Sequence, residues 1–363
     1  MKIFNCTTNI TGGAIQNAVN FIHHSLEDFE NEWFYFVSKE VYQQVREILP
    51  PDKFYVCESS PARSFRSRKL LRDLEGQLSP SLVYTSAGPA YVKFKSLHIM
   101  GCSNPYVLGI NDLASSRMSF FERMFRWLHS CYQRFYIRFA DYWIAQTELS
   151  RKSLCRLGLS NDRIFVVHNA ISYKFREQFS KNEVKKSSSN SKKVILIPSV
   201  YYKHKNLEII ETLLRYLNES DYEIVLTLPD DEFQHIRSCL GLKSSIVTNI
   251  GPFPHSKATE VYGIADIVFI PSYLEVFSTS YIETMAMKLP LVLPDLDFCV
   301  DICGDYGFYY NALDESSAAA CIKDAINAGI SNHRLQTAHS LLKTYGSQKE
   351  RYLKVLTILH SFE

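Results

Sequence analysis

The sequence predicts an α/β protein built from two doubly wound domains, each with a parallel sheet. Short apolar strand patterns alternate with helical patterns over most of the 363 residues, which is typical of doubly wound sheets. A polar, Ser- and Lys-rich stretch at 181–193 interrupts this alternation and has the composition of a linker. Residues 266–294 follow the order strand, loop, helix, strand, which is a βαβ unit.

These patterns divide the chain into four parts. We predict a first domain over 1–180, a linker over 181–193, a second domain over 194–345 and a last helix over 346–363. A chain of this length can form two domains, each with its own core.

Composition places the protein among ordinary globular proteins, with 46% hydrophobic and 21% charged residues. The net charge is only +2, but the first 180 residues are net basic and the rest net acidic, so we expect the first half to meet an anionic partner. Nine dispersed cysteines favour a reducing compartment. With no apolar signal core or long apolar span, the sequence predicts a cytoplasmic protein, or one held on the cytoplasmic face of the inner membrane.

A candidate anion site lies in the βαβ unit. The loop after its first strand holds Glu275, and the helix that starts at Thr279 directs backbone N–H groups toward an anion. A phosphate bound by the amides of 277–280 would leave Glu275 and Glu283 to accept hydrogen bonds from hydroxyl groups on either side. A sugar nucleotide has that chemistry. The alternatives are a solvated loop acid for Glu275 and, for Glu283, a capping box with Ser280 that needs no ligand.

The motifs around this site resemble those of a known family. E-V-F-S at 275–278, E-T-M-A at 283–286 and L-P-L-V at 289–292 are similar to the E-G-F-G…E-A-M-A-x-G-x-P-V-V pattern of GT-B glycosyltransferases of family 4. The resemblance implies two Rossmann-like domains facing each other across a cleft, with the last helix crossing back to the first domain. It also implies a retaining enzyme that uses a nucleotide sugar, with Glu275 on the donor sugar and Glu283 on the ribose.

The chain departs from the family pattern at three positions. Val276 and Ser278 stand where glycine is common, and Lys288 replaces another glycine. Because a positive φ is costly for valine, we expect this loop to differ in shape from the family's.

The resemblance extends to the loop after the first strand of the second domain. Lys205 and Asn206 match the K-N of the family's G-R-x₅-K-N motif, in which Arg and Lys grip the diphosphate. Ser199 or Val200 occupies the Arg position, so we expect Lys205 to carry more of that charge, with Lys203 or His204 compensating. The alternative for Lys205 is a solvated loop lysine.

Further donor contacts follow by resemblance. Gly12 and Gly13 match a Gly-Gly loop that faces the donor diphosphate, and Phe253 stands where the family packs the nucleotide base. Phe277, Ser278, Thr279 and Ser280 would supply the amide cradle. Two acidic pairs, at 230–231 and at 295 and 297, suit a divalent metal, but the family uses cationic side chains and a helix end instead, so we expect no metal and no other cofactor.

On the acceptor side, two loops follow strands of the first domain and are expected to face the cleft. One contains Gly88. The other contains Cys102, Ser103 and Asn104, one of which takes the place of a histidine found in many relatives. His98 lies close by, but for this residue we favour a place in the core.

Two basic aromatic segments, 61–72 and 117–139, are candidates for contact with a membrane or lipid acceptor, with rings at the headgroup level and arginines on phosphates. The alternative is a core helix with an arginine-rich solvated face. No nucleic-acid-binding module pattern is present.

The sequence therefore predicts a glycosyltransferase that moves a sugar from a nucleotide sugar to a lipid-linked saccharide. Its front-half loops are similar to those of bacterial enzymes that assemble O-antigen or capsule. Two alternatives remain: a GT-B enzyme of another reaction, such as an epimerase or hydrolase of nucleotide sugars, and a catalytically weak assembly partner. The absent Arg and Gly residues favour the second.

Overall fold

The structure is a computed structural model that describes residues 1–28, 32–181, 192–239 and 246–362. Most of the predicted linker, 182–191, lies outside these residues. The chain forms two compact units: Met1–Asn169 together with the C-terminal segment from Gln348, and Ala170–Ser347.

The first unit alternates strands and helices. Its elements are β1 (Lys2–Cys6), α1 (Gly12–Glu27), β2 (Trp33–Ser38), α2 (Lys39–Val45), β3 (Phe54–Cys57), α3 (Phe65–Leu78), β4 (Leu82–Thr85), β5 (Leu97–Cys102), α4 (Pro105–Leu108), α5 (Leu113–Ser116), α6 (Phe120–Ile137), β6 (Tyr142–Ala145), α7 (Glu148–Arg156), β7 (Ile164–Val166) and the last helix, α16 (Gln348–His360). The strands form one parallel sheet in the order β3-β2-β1-β4-β5-β6-β7.

The core of the first unit lies on both faces of this sheet. Every residue of β1 is buried, including the polar Lys2 and Asn5, so neither side of this central strand faces solvent. Phe4 of β1 stacks on Phe21 of α1 with ring centroids 4.2 Å apart. Tyr352 of α16 packs edge-on against Phe21 at 5.1 Å, so the C-terminal helix completes this core. Residues 33–38 and 97–102, two of the short strand patterns that alternate with helical patterns in the sequence, form β2 and β5.

The second unit repeats the architecture with six strands. Its elements are α8 (Tyr173–Ser180), β8 (Lys193–Ile197), α9 (Ile209–Leu213), β9 (Tyr222–Leu226), α10 (Asp230–Cys239), β10 (Val247–Asn249), α11 (Ala258–Ile264), β11 (Ile267–Phe269), α12 (Thr279–Ala286), β12 (Leu291–Pro294), α13 (Asp297–Cys303), β13 (Phe308–Tyr310), α14 (Ser316–Ala328) and α15 (Asn332–Tyr345). The sheet is parallel, in the order β10-β9-β8-β11-β12-β13. The doubly wound fold class is therefore confirmed in both units.

Helix α8 belongs to the second unit, although the composition-based boundary assigned 173–180 to the first domain. Its Phe175 is fully buried and packs edge-on against Tyr262 of α11, with ring centroids 5.4 Å apart. The polar stretch after α8 marks only a change in composition. The packing of Phe175 against Tyr262 is what places α8 in the second unit.

Arg68 on α3 is turned into the first unit. Its guanidinium donates hydrogen bonds to the carbonyl oxygens of Pro61 and Ala62 and to the hydroxyls of Tyr132 and Tyr136 on α6. The prediction that the cations of segment 61–72 face a membrane is wrong for Arg68, which is 7% exposed, because the fold itself uses the donors of this guanidinium.

His98 has the core place that we favoured. It is 1% exposed in β5, and one ring nitrogen, Nε2, lies 2.8 Å from the Thr85 hydroxyl oxygen. Burial lowers the pKa of His98 to about 4, so the ring is neutral at physiological pH. Among the described residues, no helix has both the length and the apolarity needed to cross a bilayer.

Candidate functional site

The candidate site lies where the strand order of the second sheet reverses. β8 and β11 are neighbours at its centre, and the chain continues outward from β8 to β9 and from β11 to β12. The connections that follow the two central strands therefore leave in opposite directions, and doubly wound folds bind ligands at the carboxyl edge where this happens. The loop after β8 carries 203–206, and the loop after β11 carries 272–278. Sequence reasoning had placed both groups in one site, and the topology explains why they meet.

Lys205 and Glu275 form an ion pair between these two loops. The Lys205 side chain is 19% exposed and that of Glu275 is 13% exposed, so both charges are largely withdrawn from solvent but can still be reached. The backbone N–H of Tyr273 also donates to the His204 carbonyl oxygen at 2.7 Å. The geometry thus excludes the interpretation of Lys205 and Glu275 as isolated solvated loop residues.

Asn206 adds a polar group beside the pair. Its backbone is left-handed, with φ of 51°, a conformation that asparagine tolerates better than most side chains. The residue is 4% exposed, and its amide nitrogen Nδ2 has no hydrogen-bond partner in the described part of the chain. Ser272, 1% exposed in the loop after β11, has a hydroxyl in the same condition. Buried polar groups without partners are rare, and here two occur in the loops of one site.

Helix α12 begins at Thr279, as the sequence predicts, with Ser278 as its N-cap residue. Within the described ranges no N-cap side chain bonds to its first turn, so none of these competes with a ligand for the amides there. Phe277 is buried and packs edge-on against Tyr345 at 5.0 Å, so it offers the site only its backbone.

The loop before α12 does not adopt the positive φ angles that glycines at 276 and 278 in the family pattern would allow. Neither Val276 nor Ser278 has a positive φ, and Ser278 is extended, with φ of −83°. Lys288, in contrast, has φ of 54°, so the glycine of the family pattern marks a truly left-handed position there. A lysine is tolerated at this position although its side chain adds steric strain.

Glu283 lies inside α12 and is not part of a capping box. Ser280 is the second residue of the helix rather than its cap, because the helix begins earlier than that motif requires. The Glu283 carboxylate instead accepts a 2.9 Å hydrogen bond from the Tyr262 hydroxyl. Burial raises the pKa of Glu283 to about 7, and the hydrogen bonds from Tyr262 and Thr279 oppose that rise. The side chain therefore titrates near neutral pH.

The remaining second-unit residues lie around this centre. Lys203 and His204 form the short 3₁₀ turn that Lys205 ends, and the His204 ring stacks on Tyr202 with centroids 5.5 Å apart. Phe253 is partly buried in the loop after β10, the edge strand that β9 separates from β8. Ser199, at the position of the missing Arg, donates its backbone N–H to the Thr227 hydroxyl at 3.1 Å. Their contacts with a donor remain predictions.

The residues predicted in the first unit lie at the corresponding edge of its sheet. Gly12, with φ of 57°, and Gly13 open α1 after β1, and a Cβ atom at either position would lie more than 4 Å from the surrounding atoms of the described residues. Gly88 follows β4 and is tightly enclosed: a Cβ atom there would lie 2.4 Å from Met100 Sδ.

Ser103 and Asn104 follow β5 and are partly buried. Asn104 has a structural task, since its Oδ1 caps α4 by accepting from the N–H groups of Tyr106 and Val107. No group of three or more His, Cys, Asp or Glu side chains within the described ranges is arranged to hold a metal ion. Binding contacts remain predictions for Gly12, Gly13, Gly88, Ser103 and Asn104.

Sequence reasoning missed two residues of the site. Tyr262 and Ser272 belong to no recognisable motif. The residues next to them in sequence predict only that they lie in an apolar environment. The proximity of Tyr262 to Glu283 follows only from the packing of α11 beside α12. For Ser272, its position directly after a predicted buried strand was the one available signal.

Known structures share this fold over nearly the whole chain. Anabaena HepE in complex with UDP and glucose is 15% identical, with a TM-score of 0.71 over 99% of this chain and 100% of that chain. The lipopolysaccharide outer core galactosyltransferase WaaB is 15% identical, with a TM-score of 0.65 over 98% and 99% of the two chains. Sucrose-phosphate synthase from Thermosynechococcus elongatus is 12% identical, with a TM-score of 0.70 over 99% and 98%. No curated protein sequence matches the chain.

Two family models match successive parts of the sequence. The model described as Glycosyltransferase Family 4 matches residues 23–175, and the model described as Glycosyl transferases group 1 matches residues 178–340. The chain therefore belongs to the group 1 glycosyltransferases, with two parallel-sheet α/β domains of the GT-B fold. The family predicted from the motifs is confirmed.

Proposed function

We propose that this protein is a retaining glycosyltransferase that moves a sugar from a nucleotide-sugar donor to a lipid-linked saccharide. The acceptor would lie at the cytoplasmic face of the inner membrane, with the protein held there peripherally, during assembly of O-antigen or capsule. The observation that carries the proposal is the Lys205–Glu275 ion pair between the two loops of the switch point. A cation that would bind a diphosphate thereby lies beside a carboxylate that would accept hydrogen bonds from sugar hydroxyls.

The donor diphosphate would bind at the start of α12, to the amides of 277–280. The positive end of the helix dipole and Lys205 would offset its charge. When the donor enters, Lys205 would turn from Glu275 to a phosphate oxygen, and Glu275 would accept hydrogen bonds from the donor sugar. Asn206 Nδ2 and the Ser272 hydroxyl, which are buried and have no hydrogen-bond partner among the described residues, would be available as further contacts.

Transfer would proceed on one face of the sugar. The bond between the anomeric carbon and the diphosphate oxygen breaks, the acceptor oxygen bonds to the same face of that carbon, and the leaving phosphate oxygen takes the acceptor's proton. Negative charge grows on the diphosphate as its bond breaks, so Lys205 and the helix end would stabilise the transition state more than the ground state. This route requires no protein nucleophile and no metal.

Two neighbours support the choice of substrates. HepE has been crystallised with UDP-glucose, and WaaB is named for transfer of galactose to a lipopolysaccharide outer core. The absence of a cation at Ser199 and Val200, together with the missing glycines of the family pattern, favours a catalytically weak assembly partner instead. For that alternative we expect donor binding without transfer, and for an epimerase or hydrolase, conversion of the donor in water alone.

A panel of nucleotide sugars, first in thermal-shift measurements and then in transfer assays with lipid-linked saccharides, tests the proposal. We expect one or a few donors to raise the melting temperature, and NMR of the product to show a retained anomeric configuration. Glu275→Ala should abolish transfer while leaving the fold intact. Removing Lys205 should lower kcat by roughly 100-fold to 1000-fold, as loss of one transition-state donor does elsewhere.

Glu260→Ala is the matched control, since Glu260 is an exposed carboxylate on the neighbouring helix α11. It should leave both donor binding and turnover unchanged. Unchanged turnover in Glu275→Ala would remove this residue from the site, and an inverted product would refute the retaining route.

A further inference from the structure

Helix α6 presents its apolar side to solvent. Phe121 is 75% exposed, Phe125 is 73% exposed and Trp127 is 60% exposed. A surface helix of a globular protein normally turns such residues toward the core. Here the side toward the core carries Ser130, Gln133 and Ile137. The helix is therefore inverted relative to an ordinary amphipathic helix.

The exposed residues form one continuous stripe. At about 100° per residue, they fall within less than half of the helix circumference. They are Phe120, Phe121, Met124, Phe125, Trp127, Leu128, Tyr132 and Phe135. The helix is well formed at its start, because Ser119 and Glu122 make a complete capping box there. The stripe is thus presented by a capped helix of five turns.

A cavity of about 370 Å³ lies along the edge of this stripe, between α6 and the α4–α5 segment. Three arginines of α6 line it, Arg123, Arg126 and Arg134, against a single carboxylate, Asp112. The charged lining is therefore three positive groups and one negative group. Trp127 lines the same cavity, so the apolar stripe and the cationic cavity share a border.

The arginines are held in place but not neutralised. The Arg126 guanidinium lies over the Tyr106 ring at 4.5 Å, and Arg134 Nε donates to the Val107 carbonyl oxygen at 2.9 Å. Within the described ranges none of the three forms an ion pair with a carboxylate. Burial and then the charges of Arg126 and Arg63 lower the pKa of the nearby His129, as expected in a positive field. The excess of positive charge in the lining suits an anionic ligand.

We propose that the three-arginine cavity binds the phosphate headgroup of an anionic membrane lipid while the stripe of α6 enters the bilayer surface beside it. This inference rests on the proposed function, because membrane binding would hold the enzyme where a lipid-linked acceptor lies. It assigns the membrane contact to α6 and not to Arg68 in segment 61–72, whose guanidinium is used inside the fold.

A lipid accounts for both features at once. A free phosphate would satisfy the arginines but leave the apolar stripe in water. A protein partner would cover the stripe but give no reason for a cation-lined cavity at its edge. Helices that lie in a membrane interface combine Trp, Phe and Leu on one side with cations on the other, and α6 has this composition.

Vesicle co-sedimentation of the full-length protein tests the proposal without requiring glycosyl transfer. Three vesicles are compared at physiological salt: phosphatidylcholine alone, phosphatidylcholine with phosphatidylglycerol, and phosphatidylcholine with a carboxylate-headed lipid at matched surface charge. We expect the strongest binding to the phosphatidylglycerol vesicles, because only they add both negative charge and an accessible anionic phosphate.

Two double variants separate the cavity from the stripe. Arg123→Gln with Arg126→Gln should lower binding to phosphatidylglycerol vesicles by roughly 10-fold to 30-fold and remove the preference over the carboxylate lipid. Phe121→Ser with Phe125→Ser should abolish binding to all three vesicles. Their matched controls are Arg156→Gln, an exposed arginine on α7, and Leu313→Ser, a residue of the second unit that is 78% exposed. Both controls should bind as the unchanged protein does.

Several results would overturn the inference. The first is equal binding to the carboxylate lipid, and the second is unchanged vesicle binding by the arginine variant. The third is a protein that binds no vesicles but whose melting temperature is raised by inorganic phosphate, with that rise lost in the arginine variant. Concentration-dependent dimers lost in the phenylalanine variant, without vesicle binding, would assign the stripe to a second copy of the chain. Donor binding measured in the same variants distinguishes this failure from failure of the proposed function, because the cavity and the donor loops lie in different units.

Discussion

The Tyr262 hydroxyl donates a 2.9 Å hydrogen bond to Glu283 Oε2. Tyr262 is 1% exposed, and the carboxylate that it contacts lies in an environment that raises the pKa of Glu283 to about 7. A group that titrates near neutral pH affects folding, and in the candidate donor site it would also affect binding, with the opposite dependence on pH.

The first prediction concerns stability. Because the pKa of Glu283 in the folded protein lies above the ordinary value of 4.5, its contribution to stability is fully present below pH 4.5 and is lost as the pH rises through 7. Glu283→Gln has no such titration, and Tyr262 can still donate to the amide oxygen. From pH 5 to pH 8 the variant should therefore gain stability relative to the unchanged protein, by no more than about 3 kcal/mol.

Urea unfolding at a series of pH values measures this difference. Glu260→Gln, on the exposed side of α11, should follow the unchanged protein throughout. If the curves of Glu283→Gln and the unchanged protein stay parallel from pH 5 to pH 8, Glu283 does not titrate in this range in the folded state.

The second prediction concerns donor binding, on the proposal that Glu283 accepts hydrogen bonds from the ribose. Since the ionised carboxylate is the better acceptor, affinity for UDP-glucose should rise by about tenfold from pH 6 to pH 8. Calorimetry measures this affinity. UDP-glucose is used instead of UDP, because the terminal phosphate of UDP titrates in the same pH range and would obscure the effect of Glu283. Tyr262→Phe removes a hydrogen bond that lowers the pKa of Glu283, so its midpoint should move to higher pH. A flat profile in the unchanged protein would contradict the ribose contact.

The third prediction separates the backbone of Asn206 from its side chain. Asn206→Ala should cost about 1 kcal/mol of stability, because alanine is strained at a φ of 51°, whereas Asn206→Gly should cost less. Both variants lose the buried Nδ2, so both should bind the donor more weakly, by about fivefold to tenfold. Thermal unfolding and calorimetry measure the two effects. Full donor affinity in the glycine variant would restrict Asn206 to a turn-forming task.

The fourth prediction concerns Arg68. Arg68→Met should destabilise the first unit by about 2–4 kcal/mol, because two tyrosine hydroxyls and two carbonyl oxygens lose their donor. Arg72→Met, an exposed position on the same helix, is the control and should be nearly neutral. Equal melting temperatures for the two variants would show that the interior contacts of Arg68 contribute little.

The sequence predicted the parts of this protein that depend on near neighbours. Largely buried strands such as 33–38 and 97–102 are mostly apolar in sequence. The start of α12 follows a strand and a polar loop. Lys205 and Glu275 were recognisable because each stands in a loop after a central strand, within a motif of the family. β13 (Phe308–Tyr310) was missed because its apolar run is bounded directly by Gly307 and Asn311, whereas the run around the equally short β11 continues through Ile270.

By itself, therefore, the chain determined two doubly wound domains, a family and two loops with opposite charges, since apolar periodicity and short motifs act over a few residues. Only the tertiary structure decided that Tyr262 would contact Glu283, that Arg68 would turn inward and that the apolar stripe of α6 would face solvent. These relationships join residues far apart in sequence or depend on which side of a helix meets the core. The helix period is the same whichever side is buried, so the pattern predicts an amphipathic helix but does not say which way it faces.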